Sequence, residues 1–195
     1  MQDLRVLVVI PARGGSKRLK MKNIYPVLGK PMLLWATEEC KKSEYISRYV
    51  VSTEDEEIKK ICIENNVEVV DRPRKLAADK AEKMDVVAHA TAELLSIGYE
   101  PDIVVSLQPN SPEFKAVDLD KAISFFLEKL YHEHNVAEVI SINPDMLQNA
   151  CFRIMTTKTV FQTTLSTHVG VYMTDYHDIH TKEDVKMVEE RINAS

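Results

Sequence analysis

The chain has 195 residues, 45% of them hydrophobic and 28% charged, with a formal net charge of -5. That length and balance suit one globular domain with a full apolar core, and the mild acidity gives no bulk signal for a nucleic-acid or membrane partner. No apolar run approaches the roughly 20 residues that span a bilayer, and the three scattered cysteines, Cys40, Cys62 and Cys151, make no disulfide framework, so buried, inert thiols in a reducing cytoplasm are expected.

Short apolar strands alternate with amphipathic helices along the chain. Leu4 to Ile10, apolar without a break from Val6 onward, has the pattern of a strand covered on both faces. A helix is predicted over Pro31 to Lys42, opened by its proline, with Trp35 facing the core. Arg48 to Ser52 reads as a strand. Thr53 with Glu56 three residues on has the spacing of a capping box for a helix reaching Asn65, with Glu56 and Lys60 at pairing distance. Val67 to Val70 is a strand, Ala81 to Ile97 a helix stopped by Gly98, and Asp102 to Leu107 a strand. Val117 to His132 is a helix, whose last turn explains His132 and His134 as partners of the helix dipole. Ala137 to Asn143 and Val169 to Thr174 are strands, with short strands between Pro144 and Ser166. Thr181 caps a closing helix to Ile192, with Asp184 three positions later.

This alternation predicts an α/β fold: a single domain over residues 1–195 with a mainly parallel, Rossmann-like sheet and helices on both faces. Ligands of such sheets bind outside the carboxyl ends of the strands. The candidate segments are therefore Pro11 to Lys22, Arg72 to Lys83, Gln108 to Phe114 and Asp175 to His180.

The first of these, Pro11-Ala-Arg-Gly-Gly-Ser-Lys-Arg-Leu-Lys-Met-Lys-Asn23, leaves the first buried strand directly. Gly14 and Gly15 allow a tight turn that brings backbone N–H groups to an anion. Arg13, Lys17, Arg18, Lys20 and Lys22 gather enough positive charge for a triphosphate. Neither the Walker spacing nor the dinucleotide G-x-G-x-x-G is present. Composition alone leaves open a solvated basic loop or an RNA site.

Ile10-Pro-Ala-Arg-Gly-Gly-Ser-Lys17 with Lys22-Asn23 resembles the opening signature of the acylneuraminate (CMP-sialic acid-type) cytidylyltransferases, to which the CMP-Kdo synthetases are related. Gly29-Lys30-Pro31, Val50-Val-Ser-Thr-Glu-Asp55, the block from Arg72-Pro73 to His89, Leu107-Gln-Pro-Asn-Ser-Pro112 and Asp178-Ile-His-Thr-Lys-Glu-Asp184 resemble further family blocks in the same order. The resemblance implies the fold of the nucleotide-diphospho-sugar transferases, CTP and a sugar acid as substrates, and magnesium as cofactor. It implies that Arg13 and Lys22 hold phosphates and stabilise the leaving pyrophosphate, with Ala12, Gly14, Gly15, Ser16, Lys17 and Asn23 completing the cradle. Arg72, Ala81 and Lys83 would meet the nucleotide, Gln108, Asn110 and Ser111 the sugar acid, and Asp178 the metal.

The chain departs from the family in four places. Arg18, Leu19 and Lys20 replace a Gly-Leu/Ile-Pro, Lys83 replaces a serine at the base, and Ser111-Pro-Glu-Phe114 lacks an arginine for which Lys115 is a candidate substitute. His180 stands where the family has a second acid; it is a weak magnesium ligand, a candidate base, or a local cap. His177 and His180 flanking Asp178 also suggest a transition-metal group. Residues 144–167 form a shortened version of the family's dimerisation extension, which implies a monomer or weak homodimer, or simply a compact variant. Transfer with another nucleoside triphosphate or acceptor, or a degenerate nucleotide-binding module, are the alternative functions.

Overall fold

The fold is built on β1 (Val6–Pro11), whose alternate residues are buried on opposite faces. Val6, Val8 and Ile10 join one apolar cluster, Leu7 and Val9 the other. In this computed structural model residues 4–78, 80–130 and 136–194 are described. The elements after β1 are β2 (Pro26–Val27), β3 (Lys30–Pro31), α1 (Met32–Cys40), β4 (Ile46–Thr53), α2 (Glu56–Glu64), β5 (Glu68–Asp71), α3 (Lys83–Ser96) and β6 (Ile103–Leu107). They are followed by α4 (Ala116–Glu128), β7 (Glu138–Ile142), β8 (Gln148–Thr156), α5 (Thr157–Val160), β9 (Val169–Met173) and α6 (Lys182–Ala194).

The main sheet has the order β5-β4-β1-β6-β8-β7-β9. β8 runs antiparallel to both neighbours, and the remaining strands run parallel to β1. β2 and β3 form a separate small hairpin. Leu33 and Cys40 of α1, Ile58 and Cys62 of α2, and Leu119 and Phe126 of α4 cover one face, while Val87, Ala90 and Leu94 of α3 and Val160 of α5 cover the other. The fold is thus the expected single α/β domain with a mostly parallel sheet between two helical layers. Cys40, Cys62 and Cys151 are buried, and burial pushes the Cys62 thiol up to about 11. These thiols are therefore protonated and inert at neutral pH.

Several local expectations change. The cap of α2 is Asp55, whose carboxylate accepts from the Ile58 N–H at 3.0 Å, while Thr53 accepts from the Asp55 N–H. A carboxylate inside the turn competes better than a hydroxyl two residues earlier. Glu56 pairs with Lys59 at 2.8 Å, not with Lys60, which lies nearer Glu64. Trp35 packs against an apolar cluster that includes Val27 and Met32, as expected, but is only half-buried: Lys30 Nζ sits 3.6 Å from its ring centroid and its indole donates to the Val27 carbonyl. The helix over Ala81 to Ile97 begins only at Lys83 and stops before Gly98, which adopts the left-handed φ of +84°. His132 and His134 lie outside the described residues.

The largest change is at Pro144 to Ser166, where a nine-residue strand, β8, wedges between β6 and β7. Its interrupted hydrophobicity has a physical cause. Arg153 sits mid-strand and donates through Nε to Glu138 of β7, whose side chain is 4% exposed. An ion pair between a buried carboxylate and a half-buried guanidinium thus interrupts the apolar alternation that marks other strands.

Candidate active site

From β1 the chain moves outward to β4 and β5, then returns to the other side of β1 for β6. Loops leaving strands on either side of such a reversal diverge and open a crevice at the carboxyl ends. A cavity of about 500 Å³ lies there. Its walls come from the four segments selected by the sequence. The loop after β1 supplies Pro11, Arg13, Ser16, Arg18, Lys22 and Asn23. The stretch from β5 into α3 supplies Arg72, Leu76, Ala78, Ala81, Lys83 and Val86. Gln108, Pro109 and Asn110 follow β6, and Asp178 and His180 follow β9.

Arg13, Ser16, Lys22, Asn23, Arg72, Ala81, Lys83, Gln108, Asn110, Asp178 and His180 are thereby brought together. Ala12, Gly14, Gly15, Lys17 and Ser111 are not part of the wall. Ala12 is fully buried with its N–H on the Ser52 carbonyl at 3.0 Å. Gly14 has a different task from the one expected: its N–H donates to Glu54 Oε1 at 3.0 Å, and a Cβ there would lie 2.1 Å from Asp55 Oδ2. The first glycine is needed for close approach to the acidic turn after β4, where Glu54 accepts its amide. Leu76, Ala78, Val86, Pro11 and Pro109 are wall residues to which sequence reasoning assigned no role. Arg18 was legible as part of the cation run; the facing of the turn over Arg74–Ala77 was not.

Lys115 does not replace the missing arginine. It faces another hollow, between α1 and α4, with Glu39 and Asp120. At the arginine position itself stands Phe114, fully buried and edge-on to Tyr176 at 6.3 Å between ring centroids. Glu113 turns away and accepts from the His177 N–H at 2.9 Å and from Arg191 of α6.

The positions of Asp178 and His180 follow from Ile179 between them. Ile179 is fully buried in a cluster with Leu19, Val27, Met32, Val185 and Val188, and its N–H donates to the Asn110 carbonyl at 2.8 Å. Alternation along this stretch sends residues 178 and 180 to the cavity. The same cluster ties Leu19, at the tip of the basic loop, to α6. Asn23 pins the loop base by donating to the Arg13 carbonyl at 2.8 Å, and Ser111 donates to Asp178 Oδ1 at 2.6 Å.

Asp184 holds the end of this stretch. It accepts from the backbone N–H groups of His180 and Thr181, both at 2.8 Å, while Thr181 accepts from the Asp184 N–H, so the expected cap is present. Burial pushes the Asp184 carboxyl up, but the His180 N–H, the His177 ring at 3.1 Å and Thr181 together hold it down at about 2. A depressed carboxylate pKa stabilises the fold above the unfolded value near 4, and that contribution is lost as pH falls through the folded value. Asp184→Ala should therefore cost about 2 kcal/mol at neutral pH, and denaturant melts should show the deficit shrinking as pH falls from about 4 towards about 2.

The cavity is electropositive. Burial lowers the Lys22 pKa; Asp178 opposes the shift, while Arg18, Lys83 and Arg13 add to it. A buried ammonium facing three other cations gains strongly from an anion. Burial raises the Asp178 carboxyl, against the Ser111 hydrogen bond and the charges of His180, Lys83 and Lys22. Burial and the Lys22 and Arg18 charges lower His180, which is a neutral imidazole at pH 7. Among the described residues no three His, Cys, Asp or Glu side chains gather to hold a metal unaided. The His177 ring belongs to the Asp184 cap, so no transition-metal group forms around Asp178.

A family model described as cytidylyltransferase matches residues 7–189. The chain is 32% identical over 127 residues to the N-acylneuraminate cytidylyltransferase of Escherichia coli O18:K1:H7 (strain RS218 / NMEC), covering 64% of this chain and 29% of that protein. It is 32% identical over 126 residues to the pseudaminic acid cytidylyltransferase of Campylobacter jejuni subsp. jejuni serotype O:2, covering 64% of this chain and 54% of that one. The chain thus matches about half or less of the length of these relatives. A solved CMP:2-keto-3-deoxy-manno-octonic acid synthetase complexed with CTP superposes with a TM-score of 0.80 at 13% identity, over 97% of this chain and 99% of that one. With the family pattern matched along nearly its whole length and that fold around a basic cavity, the chain belongs to the cytidylyltransferase family.

Proposed function

We propose that this chain transfers CMP from CTP to a 2-keto-3-deoxy sugar acid of the sialic, legionaminic, pseudaminic or Kdo type and releases pyrophosphate. One observation carries the proposal: Arg13, Arg18, Lys22 and Lys83 face Asp178 across a single cavity at the strand reversal. In this reaction the anomeric hydroxyl oxygen bonds to the α-phosphorus as the bond from that phosphorus to the pyrophosphate oxygen breaks, and the hydroxyl proton passes to water. Catalysis is then positioning and charge stabilisation. Arg13 and Lys22 hold the phosphates and stabilise the departing pyrophosphate, while Arg72, Ala81 and Lys83 seat the nucleoside end. Gln108 and Asn110 face the acceptor, with Ser111 acting only through Asp178.

Among the described residues one carboxylate, Asp178, reaches the cavity, which suits magnesium, an ion that keeps several waters and binds largely through substrate phosphates. Asp178 would supply the protein ligand, and magnesium would neutralise charge on the phosphates. His180, uncharged at pH 7, contributes a lone pair and not a second carboxylate.

Purified protein supplied with CTP, magnesium and each of N-acetylneuraminic, pseudaminic and 3-deoxy-manno-octulosonic acid should release pyrophosphate with at least one. Release with UTP, GTP or ATP in place of CTP, or none with any acceptor, contradicts the proposal.

A further inference from the structure

Glu54 lies at the turn after β4 and is not in the wall of the cavity described above, yet it touches two parts of the site at once. One carboxylate oxygen, Oε1, accepts the Gly14 N–H of the basic loop at 3.0 Å. The other, Oε2, lies 3.8 Å from Nε of Arg72, and both of these atoms are buried without a hydrogen-bond partner. The Arg72 side chain is 3% exposed and that of Glu54 15%. A second Arg72 nitrogen, Nη2, donates to the Ser52 carbonyl, which fixes the guanidinium beside the turn. The loop meets this turn at close range, because Gly14 packs where a Cβ would overlap Asp55.

This arrangement is costly unless it does something. Two buried, oppositely charged atoms facing each other just beyond hydrogen-bond length lose hydration without the full bond in return. Closing the gap needs a shift of only about 1 Å. Burial lowers the Arg72 pKa, Glu54 opposes that shift and Arg13 adds to it, so the carboxylate is the group that favours the guanidinium charge here. The same carboxylate sits behind a loop carrying five like charges.

We propose that Glu54 is a positioning residue that couples the basic loop to Arg72, so that the phosphate end and the nucleoside end of the cavity are set in register by one buried carboxylate. The loop contact stands on the structure alone; its consequence for binding rests on CTP occupying the cavity as proposed above.

Two measurements test this separately. In the ligand-free protein, the Gly14 amide should be protected from hydrogen exchange in the wild type and in Glu54→Gln, which retains an acceptor oxygen, and should lose most of that protection in Glu54→Ala. Equal protection in all three overturns the loop contact. For the coupling, CTP affinity is measured by calorimetry for wild type, Glu54→Gln, Arg72→Ala and the double variant. Glu54→Gln should weaken CTP about tenfold, and the double variant should bind no more than about twofold worse than Arg72→Ala, because the charge acts through the arginine. Additive losses, or Glu54→Gln binding like wild type, overturn the coupling. Wild type that binds no CTP contradicts the functional proposal, and with it the coupling, while leaving the exchange result to decide the loop contact.

Discussion

Lys22→Ala should lower turnover by at least about 100-fold, with Arg13→Ala close behind, in a pyrophosphate-release assay at saturating CTP. Lys22 is half-buried in the cavity wall, and its environment already penalises its charge through burial and through Arg18, Lys83 and Arg13. Such an ammonium is preorganised for negative charge that grows on the pyrophosphate as the bond to the α-phosphorus breaks. Preorganised donors in water-poor sites are commonly worth this much. The loss should fall on kcat more than on KM, because ground-state phosphates also find Arg13 and Arg18. The fold should survive, since Asn23 and Leu19 hold the loop without Lys22. Activity within about threefold of wild type would show that the reacting phosphates lie elsewhere.

Asp178→Asn should be nearly as damaging, and for a separable reason. The amide oxygen can still accept from Ser111, so the stretch from Asp178 to Asp184 keeps its shape. What is lost is the one carboxylate that the described residues place in the cavity wall, both as a hard oxygen ligand and as the neighbour that supports the Lys22 charge. Turnover should fall by about 100-fold, and added magnesium should raise the melting temperature of the CTP-bound protein less than in wild type. The sign of a second effect follows from the same contact. Asp178 raises the Lys22 pKa against the depressing influence of burial, so its removal lowers that pKa further. The alkaline limb of CTP binding should therefore move to lower pH in Asp178→Asn. A limb that stays in place or moves up would contradict the role given to this carboxylate.

Much of the architecture was legible because its cause is local. Strand β1 is apolar without interruption, and only burial on both faces makes such a run. The strand–helix alternation then places four loops at one edge of the sheet, and those four loops line the cavity. The cap at Thr181 and Asp184 was legible for the same reason: three-residue spacing satisfies the same backbone groups in any context.

What escaped depends on partners distant in sequence. β8 was obscured because Arg153 interrupts it, and nothing near Arg153 announces Glu138 across the sheet. Gly14 looked like an anion-binding glycine until the turn at Glu54 and Asp55, forty residues on, proved to occupy its amide and its missing side chain. Lys115 looked like a substitute cation, but helix α4 begins just after it and carries it to the opposite side. Glu54 itself carried no signal beyond its place in a matching block, because its importance lies in what it joins.

The central claim is that a nucleoside triphosphate lies in the cavity at the carboxyl ends of β1 and β6 with its phosphates against Arg13 and Lys22. A crystal structure with CTP and magnesium tests it most directly. The phosphate density should lie within hydrogen-bond distance of both side chains, with the cytosine towards Arg72 and Ala81. Density for CTP in the hollow between α1 and α4, or phosphates placed away from Lys22, would contradict it.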